Sequence, residues 1–334
     1  MKQLLATTFF VAASASLVPA LAADSTCGRV TVANMNWQSA ELIAWVDKAI
    51  LENGYGCDVS LVPGDTQPTF TSMTEKGEPD IAPEGWINAM REPLDRAVAE
   101  GKLVYAVEEL GEGGVEGWWI PDYVAEAHPD IKTIDDALKH PELFPDPEDP
   151  SRGAVHNCPS GWNCQVTTGN FFKAYEADKR GFNLLDTGSA AGLDGSIAKA
   201  YERKQPWLGY YWAPTAILGK YKLVRLDFDV PYDEAEWNAC TAVADCETPK
   251  KNAWAKSEVF TVVTKAFADR AGPAYDYIKT RSFPTNGPVN EMLSWMTDNQ
   301  ATGEEAARYF LKEKADIWTE WVPAEVAEKV KAAL

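Results

Sequence analysis

Two hydrophobic rhythms alternate along this chain. Arg29 to Ala33 (RVTVA) is a short β-branched run of the kind that fills a strand. Ser39 to Asn53 then spaces Leu42, Ile43, Val46, Ile50 and Leu51 along one helical face, and Gly54 is expected to end that helix. Cys57 to Val62 (CDVSLV) predicts a second strand, and strand, helix, strand in that order predicts a parallel pair. Residues 66–76 predict another helix, Asp80 to Ala82 a short strand running into Glu84-Gly85-Trp86, and Leu103 to Val107 a further strand before the glycine-rich stretch Gly111 to Gly117.

The alternation resumes beyond that stretch. Helices are expected over Ile134–Lys139, Gln165–Asp178 and Ser196–Arg203, with a tight loop from Cys158 to Cys164. Pro206–Tyr211, Val224–Phe228 and Val259–Val263 (VFTVV) read as strands. The tail from Ala266 reads as helical, broken at Gly287 and Pro323. There is no internal repeat and no long low-complexity linker. The pattern is α/β, and its length suits two lobes joined by two crossovers.

The amino terminus bears on compartment. Lys2 precedes an apolar stretch from Leu4 to Val18, and Ala20-Leu21-Ala22 fits a small-x-small cleavage pattern, so residues 1–22 read as a secretory signal peptide and the expected location is the periplasm. The apolar run is short for a membrane span. No cysteine stands at the cleavage site to carry a lipid. A formal net charge of −19 repels phosphate backbones, so nucleic acid is not an expected partner. Six cysteines in an exported chain suggest three disulfides. The simplest pairing by spacing is Cys158–Cys164, Cys240–Cys246 and Cys27–Cys57, although the sequence leaves others open. A zinc site is the rival reading, weakened by a total of three histidines, His128, His140 and His156.

Thirteen tryptophans stand beside 12 tyrosines and 12 phenylalanines, an excess that asks for a reason. Trp45, Trp295, Trp318 and Trp321 lie in helical patterns and read as core. Trp37, Trp86, Trp118, Trp119, Trp162 and Trp212 sit in loop-like places next to Gly, Pro or Asn. Ligands of open α/β sheets bind beyond the carboxyl ends of strands, which is where Trp37, Trp86 and Trp212 fall. A quaternary ammonium has no N–H to donate. Indole faces answer its diffuse charge with a negative quadrupole and apolar contact, at about 1–2 kcal/mol per desolvated face. Exposed tryptophans also stack on sugar rings, so composition leaves both uses open.

Three segments resolve the choice by resemblance. Glu84-Gly85-Trp86, the disulfide-sized loop Cys158-Pro-Ser-Gly-Trp162-Asn-Cys164, and Tyr210-Tyr211-Trp212-Ala213-Pro214-Thr215 stand in an order and spacing that resembles substrate-binding proteins of glycine-betaine/proline-betaine-type (quaternary amine) ABC importers. The resemblance implies a two-lobed, type II periplasmic-binding fold with the ligand in the cleft between lobes. Residues 23–119 and 255–334 would form lobe 1 and residues 120–254 lobe 2, with hinge crossings near Trp119 to Pro121 and between about Asp229 and Trp254. It implies a box of Trp86, Trp162 and Trp212 around a methylated nitrogen, with the main-chain N–H groups of Asn163 and Cys164 meeting an anionic end of the ligand. A helix start beyond Cys164 agrees with this, since helix N-termini present free N–H groups to anions. Trp37 and Trp119 are further cage candidates, and Glu84 is a candidate for negative charge near the cation. Met90 stands where some relatives place a His that helps hold a carboxylate, which keeps trimethylamine N-oxide, choline and carnitine in play beside glycine betaine.

The implied partners are a small quaternary amine or amine oxide and an ABC permease, with the binding protein a monomer that needs no cofactor. Asp146, Glu148 and Asp149 offer oxygen ligands for Ca²⁺, but their spacing is not that of an EF-hand and the prolines point to a plain acidic loop. No nucleophile elbow, H-E-x-x-H helix or glycine-rich phosphate loop occurs, so an enzyme is not expected. The alternative class is a secreted carbohydrate-active enzyme or sugar-binding protein that uses tryptophan platforms.

Overall fold

The computed structural model describes residues 27–334, so the expected signal peptide lies outside the described residues. Among the described residues, ten strands form two five-stranded sheets. The first contains β1 (Arg29–Met35), β2 (Asp58–Gly64), β3 (Ile81–Trp86), β4 (Leu103–Glu108) and β10 (Val259–Thr264), in the order β2-β1-β3-β10-β4. The second contains β5 (Val115–Pro121), β6 (Gly153–His156), β7 (Phe182–Leu185), β8 (Gly209–Ala213) and β9 (Leu223–Arg225), in the order β7-β6-β8-β5-β9. The two orders are the same pattern. Each sheet has a parallel group, β2-β1-β3 or β7-β6-β8, followed by one antiparallel strand, β10 or β5, inserted before the last.

Each sheet, with the helices packed on it, is one of two lobes. Lobe 1 is built on the predicted strand–helix–strand unit. Arg29 lies opposite Asp58 in the parallel β1/β2 pair, and the Cys27–Cys57 disulfide closes just ahead of it with a Cα–Cα distance of 5.6 Å. The connecting helix α1 (Gln38–Tyr55) buries Leu42, Ile43, Val46, Ile50 and Leu51, each worth about 1.5–3 kcal/mol when fully removed from water. It does not stop at Gly54. A Cβ there would meet Val326 Cγ1 at 2.6 Å, so Gly54 is where the C-terminal helix Ala324–Ala333 packs closely. The end comes at Gly56, whose φ of 70° is the left-handed C-cap.

Other expectations shift for similar reasons. Only Gly111–Gly114 form a turn; from Val115 the stretch and its Trp118-Trp119 pair lie in β5, which pairs with β8 from Val115↔Ala213 to Trp119↔Gly209. The chain therefore leaves the first sheet between Glu108 and Val115, ahead of the crossing expected near Trp119, and returns between Arg225 and Val259. The helical tail does break beside Gly287 and Pro323, which open the helices Gly287–Asn299 and Ala324–Ala333, and it breaks further at Ala271-Gly272 and Gln300–Thr302. Short β6 and β7 were not foreseen. Four residues each, they carry too few alternations to register as strands, and pairing creates them.

Candidate functional site

The site begins at the carboxyl ends of lobe 1's strands. β1 ends at Met35, and Trp37 follows at the N-cap of α1; β3 ends on Trp86 itself. Between them lies Glu84, fully buried. Its Oε1 accepts three hydrogen bonds: from Trp37 Nε1 at 2.7 Å, Trp86 Nε1 at 2.8 Å and Ser39 Oγ at 2.9 Å. Burial raises the Glu84 carboxyl's pKa, against the pull of those donors. The Trp86 ring lies on Gly114, where a Cβ would come within 2.0 Å of its Cζ3, so only glycine leaves room.

Lobe 2 supplies the facing wall. The Cys158–Cys164 disulfide closes a small loop whose Trp162 sits at the N-cap of the helix Asn163–Ala174. Trp162 meets Trp37 edge-on at 5.3 Å between ring centroids and Trp212 at 5.1 Å, both favourable aromatic geometries. Its indole N–H reaches across to Asn36 Oδ1 of lobe 1 at 2.7 Å. Nearby, Gln67 N of helix α2 (Thr66–Lys76) donates to Gly161 O at 3.1 Å, so the lobes are bonded to each other beside the loop. Tyr210 and Trp254 complete this side, 5.5 Å apart.

One carboxyl faces the enclosed space. Glu116, on β5 directly opposite Trp212, is buried; its Oε1 accepts from Tyr210 OH at 2.8 Å and its Oε2 from Ser257 Oγ. Desolvation raises its pKa, while Ser257, Tyr210 and Trp254 as donors lower it. The enclosed space is tight as it stands, about 30 Å³. Five indoles line it, from Trp37, Trp86, Trp162, Trp212 and Trp254, with Tyr210 and Glu116. Thr66, Ala89, Asn163 and Cys164 fill the remainder, and the buried Asn163 Nδ2 has no protein partner.

The structure thus brings together Trp37, Trp86, Trp162, Trp212, Asn163 and Cys164. Glu84 stands behind the indoles rather than on the cavity surface. Trp119 is not on that surface either: its indole N–H is bonded to Tyr211 O at 2.9 Å within lobe 2. The helix after the loop begins at Asn163, two residues earlier than expected, which puts Asn163 and Cys164 in its first turn. Sequence reasoning missed Glu116, Tyr210 and Trp254. Glu116 left a trace, as a carboxylate inside the otherwise apolar run Val115–Pro121. Trp318 is buried core, its N–H bonded to Leu311 O. In the acidic loop, the buried Asp146 accepts from the Glu148 and Asp149 amides and from Asn183 Nδ2, holding its own turn. Among the described residues no group of three or more His, Cys, Asp or Glu converges to hold a metal ion.

Residues 28–313 match the family described as the substrate-binding domain of ABC-type glycine betaine transport systems. The chain belongs to that family. Solved structures share the fold at low identity. A glycine betaine/L-proline-binding protein from Borrelia burgdorferi superposes with a TM-score of 0.72 at 16% identity, over 90% of this chain and 99% of that one. An ABC-transporter choline-binding protein in complex with choline gives 0.70 at 20%, over 92% and 98%. Lactococcal OpuAC, closed on glycine betaine, gives 0.66 at 17%, over 89% and 100%. These relatives are binding proteins. Among the described residues no helix is long and apolar enough to cross a membrane.

Proposed function

We propose that the cavity captures a quaternary-ammonium or N-methylated compound, in the class of glycine betaine, trimethylamine N-oxide and choline. The protein would present it to an ABC permease from the periplasm, acting as a monomer without catalysis or cofactor. The observation that carries this reading is the lining itself: five indoles and a phenol enclose a space that one carboxyl faces. Such a lining offers a methylated cation several quadrupole faces, and it leaves a primary amine short of acceptors to replace its hydrogen bonds to water. Glu116 supplies charge complementary to the cation. The first-turn N–H groups at Asn163 and Cys164, with Asn163 Nδ2, suit an oxygen at the ligand's other end.

The cage would comprise Trp86, Trp162 and Trp212 with Trp37 and Trp254. The lobes would be the two sheets, moving about the segments between Glu108 and Val115 and between Arg225 and Val259 and closing on the ligand. A sugar would need a ring of polar side chains, and this lining is poor in them. Calorimetry with glycine betaine, trimethylamine N-oxide, choline and glucose on one preparation tests the reading. At least one methylated compound should bind in the micromolar range. Binding of glucose with none of the three methylated compounds bound below millimolar would overturn it.

A further inference from the structure

We propose that Glu84 is a positioning residue: through one carboxylate oxygen it sets the orientation of two cage indoles, and so the fit of the cage to a methylated cation. This rests on the methylated-amine reading of the cavity and adds a residue that does not touch the ligand.

The argument starts from how an indole face is aimed. Rotation about two side-chain torsions sweeps the face through a wide arc, and apolar packing alone leaves part of that arc open. A hydrogen bond from Nε1 to a fixed acceptor removes most of it. Trp37 and Trp86 come from different strand ends, yet both indole N–H groups converge on Glu84 Oε1, at 2.7 and 2.8 Å. A shared acceptor couples the two rings, because neither can turn without losing a bond to the same atom. Ser39 Oγ adds a third donor at 2.9 Å and ties the oxygen to the first turn of α1.

The acceptor is itself held. Arg281, fully buried, donates to Pro83 O at 3.1 Å and to Thr261 Oγ1 at 2.7 Å, and Thr261 Oγ1 donates to the same Pro83 carbonyl at 2.9 Å. The residue before Glu84 is thus clamped from two sides. Behind it, Arg281 pairs with Asp47 at 2.9 Å, and Tyr277 OH donates to Asp47 at 2.6 Å. A continuous polar chain runs from the buried floor of lobe 1 to the back of the cage. A carboxylate in such a place is costly unless its bonds matter, since an apolar residue of similar volume is often as stable.

Three substitutions and one spectrum test the proposal. Glu84→Met keeps the volume and removes both oxygens, Glu84→Gln keeps an acceptor oxygen, and Tyr277→Phe disturbs the same buried chain away from the cage. With trimethylamine N-oxide, glycine betaine and choline as probes, Glu84→Met should weaken whichever binds wild type on the order of 10- to 100-fold, the loss expected from charge-assisted bonds. Glu84→Gln should recover most of that loss. Tyr277→Phe should lower Tm and leave affinity within about twofold, a change far below one bond's worth. The indole N–H resonances of Trp37 and Trp86, assigned with the Trp→Phe variants, should move upfield in Glu84→Met and return in Glu84→Gln. Wild-type affinity in Glu84→Met, or unmoved indole resonances, would overturn the proposal. If wild type binds none of the probes, the ligand reading fails, and the resonances still decide whether Glu84 sets the rings.

Discussion

The two walls of the cavity are held in different ways. In lobe 1, Trp37 and Trp86 hang from one buried oxygen of Glu84, an acceptor that lobe 1 itself supplies. In lobe 2, each ring has its own support: Trp162 the small disulfide loop, Trp212 the β8–β5 pairing, Trp254 its packing on Tyr210. One lobe 2 support is borrowed, because Trp162 Nε1 bonds to Asn36 across the cleft. The indole hydrogen bonds of lobe 1's wall stay within lobe 1, whereas Trp162 in lobe 2 makes its own across the cleft. Under the proposed closure, the lobe 1 face would make first contact and the Trp162–Asn36 bond would form as the box closes.

Removing an indole breaks the comparison most severely. Trp86→Ala, Trp162→Ala and Trp212→Ala should each weaken binding by about 30-fold or more, since each deletes a face against a desolvated cation together with its apolar contact. Titration calorimetry reads this directly. Trp318→Ala should leave affinity nearly unchanged and lower stability by about 3–5 kcal/mol, as a core cavity does. Equal losses of affinity from Trp318→Ala and Trp162→Ala would mean that the cavity is not the site.

The disulfides give the next largest contrast. Cys27–Cys57 closes a sequence separation of 30 in lobe 1, and Cys158–Cys164 closes one of 6 in lobe 2. Chain entropy makes the first worth about 4 kcal/mol and the second about 2 kcal/mol. Replacing both cysteines of the first pair by serine should lower Tm and spare affinity. Replacing Cys158 and Cys164 by alanine should cost on the order of tenfold in affinity with the smaller loss of Tm, because Trp162 loses its fixed loop. The opposite ranking would show that the small loop does not orient the ring.

This contrast also explains what could be read from the residues alone. The lobe 2 loop announces itself locally, with two cysteines, a glycine and a tryptophan inside seven positions, and α1 announces itself by period. Glu116, Tyr210 and Trp254 reach the cavity only through pairing of strands distant in sequence: Glu116 faces Trp212 because β5 is antiparallel to β8. Glu84 was visible beside Trp86 but looked like a charge for the ligand. Only the fold shows that Trp37, 47 positions away, shares its oxygen. Trp119 misled because two adjacent tryptophans on a strand point to opposite faces, and the sequence does not say which face is the cleft.

Glu116 sharpens the comparison by charge. It is the carboxyl that faces the cage, whereas Glu84 lies behind it. Glu116→Gln should weaken choline, a net cation, about tenfold, and glycine betaine or trimethylamine N-oxide less, since their own negative oxygens offset the loss. Burial raises the Glu116 pKa, and a bound cation favours its ionised form. Choline affinity should therefore fall as pH drops through that raised pKa, and the dependence should disappear in Glu116→Gln. A pH profile unchanged by the substitution would remove Glu116 from the site.

The smallest effect concerns the polar floor under lobe 1's wall. Glu109 is fully buried and neither of its oxygens has a hydrogen-bond partner, while Arg281 stands 3.8 Å away. Burial, with the nearby Glu84 and Asp47 charges, pushes its pKa well above the usual carboxylate range, and Arg281 offsets only part of that. An unfolded glutamate titrates near about 4.3. Above that pH the folded protein keeps a proton that the unfolded chain has released, so this group's contribution is fully present in acid and is lost as pH rises towards the folded pKa. Glu109→Gln carries no such penalty. Relative to wild type it should gain stability as pH rises above about 4.3, by up to about 1.4 kcal/mol, or about 2–3 °C in Tm, per pH unit until the raised folded pKa is reached. Differential scanning calorimetry at several pH values measures it, and affinity should not change, because Glu109 touches neither cage indole. A Tm difference that stays flat with pH would mean that Arg281 keeps Glu109 ionised throughout, and that the floor of lobe 1 holds its charges in balance without a proton.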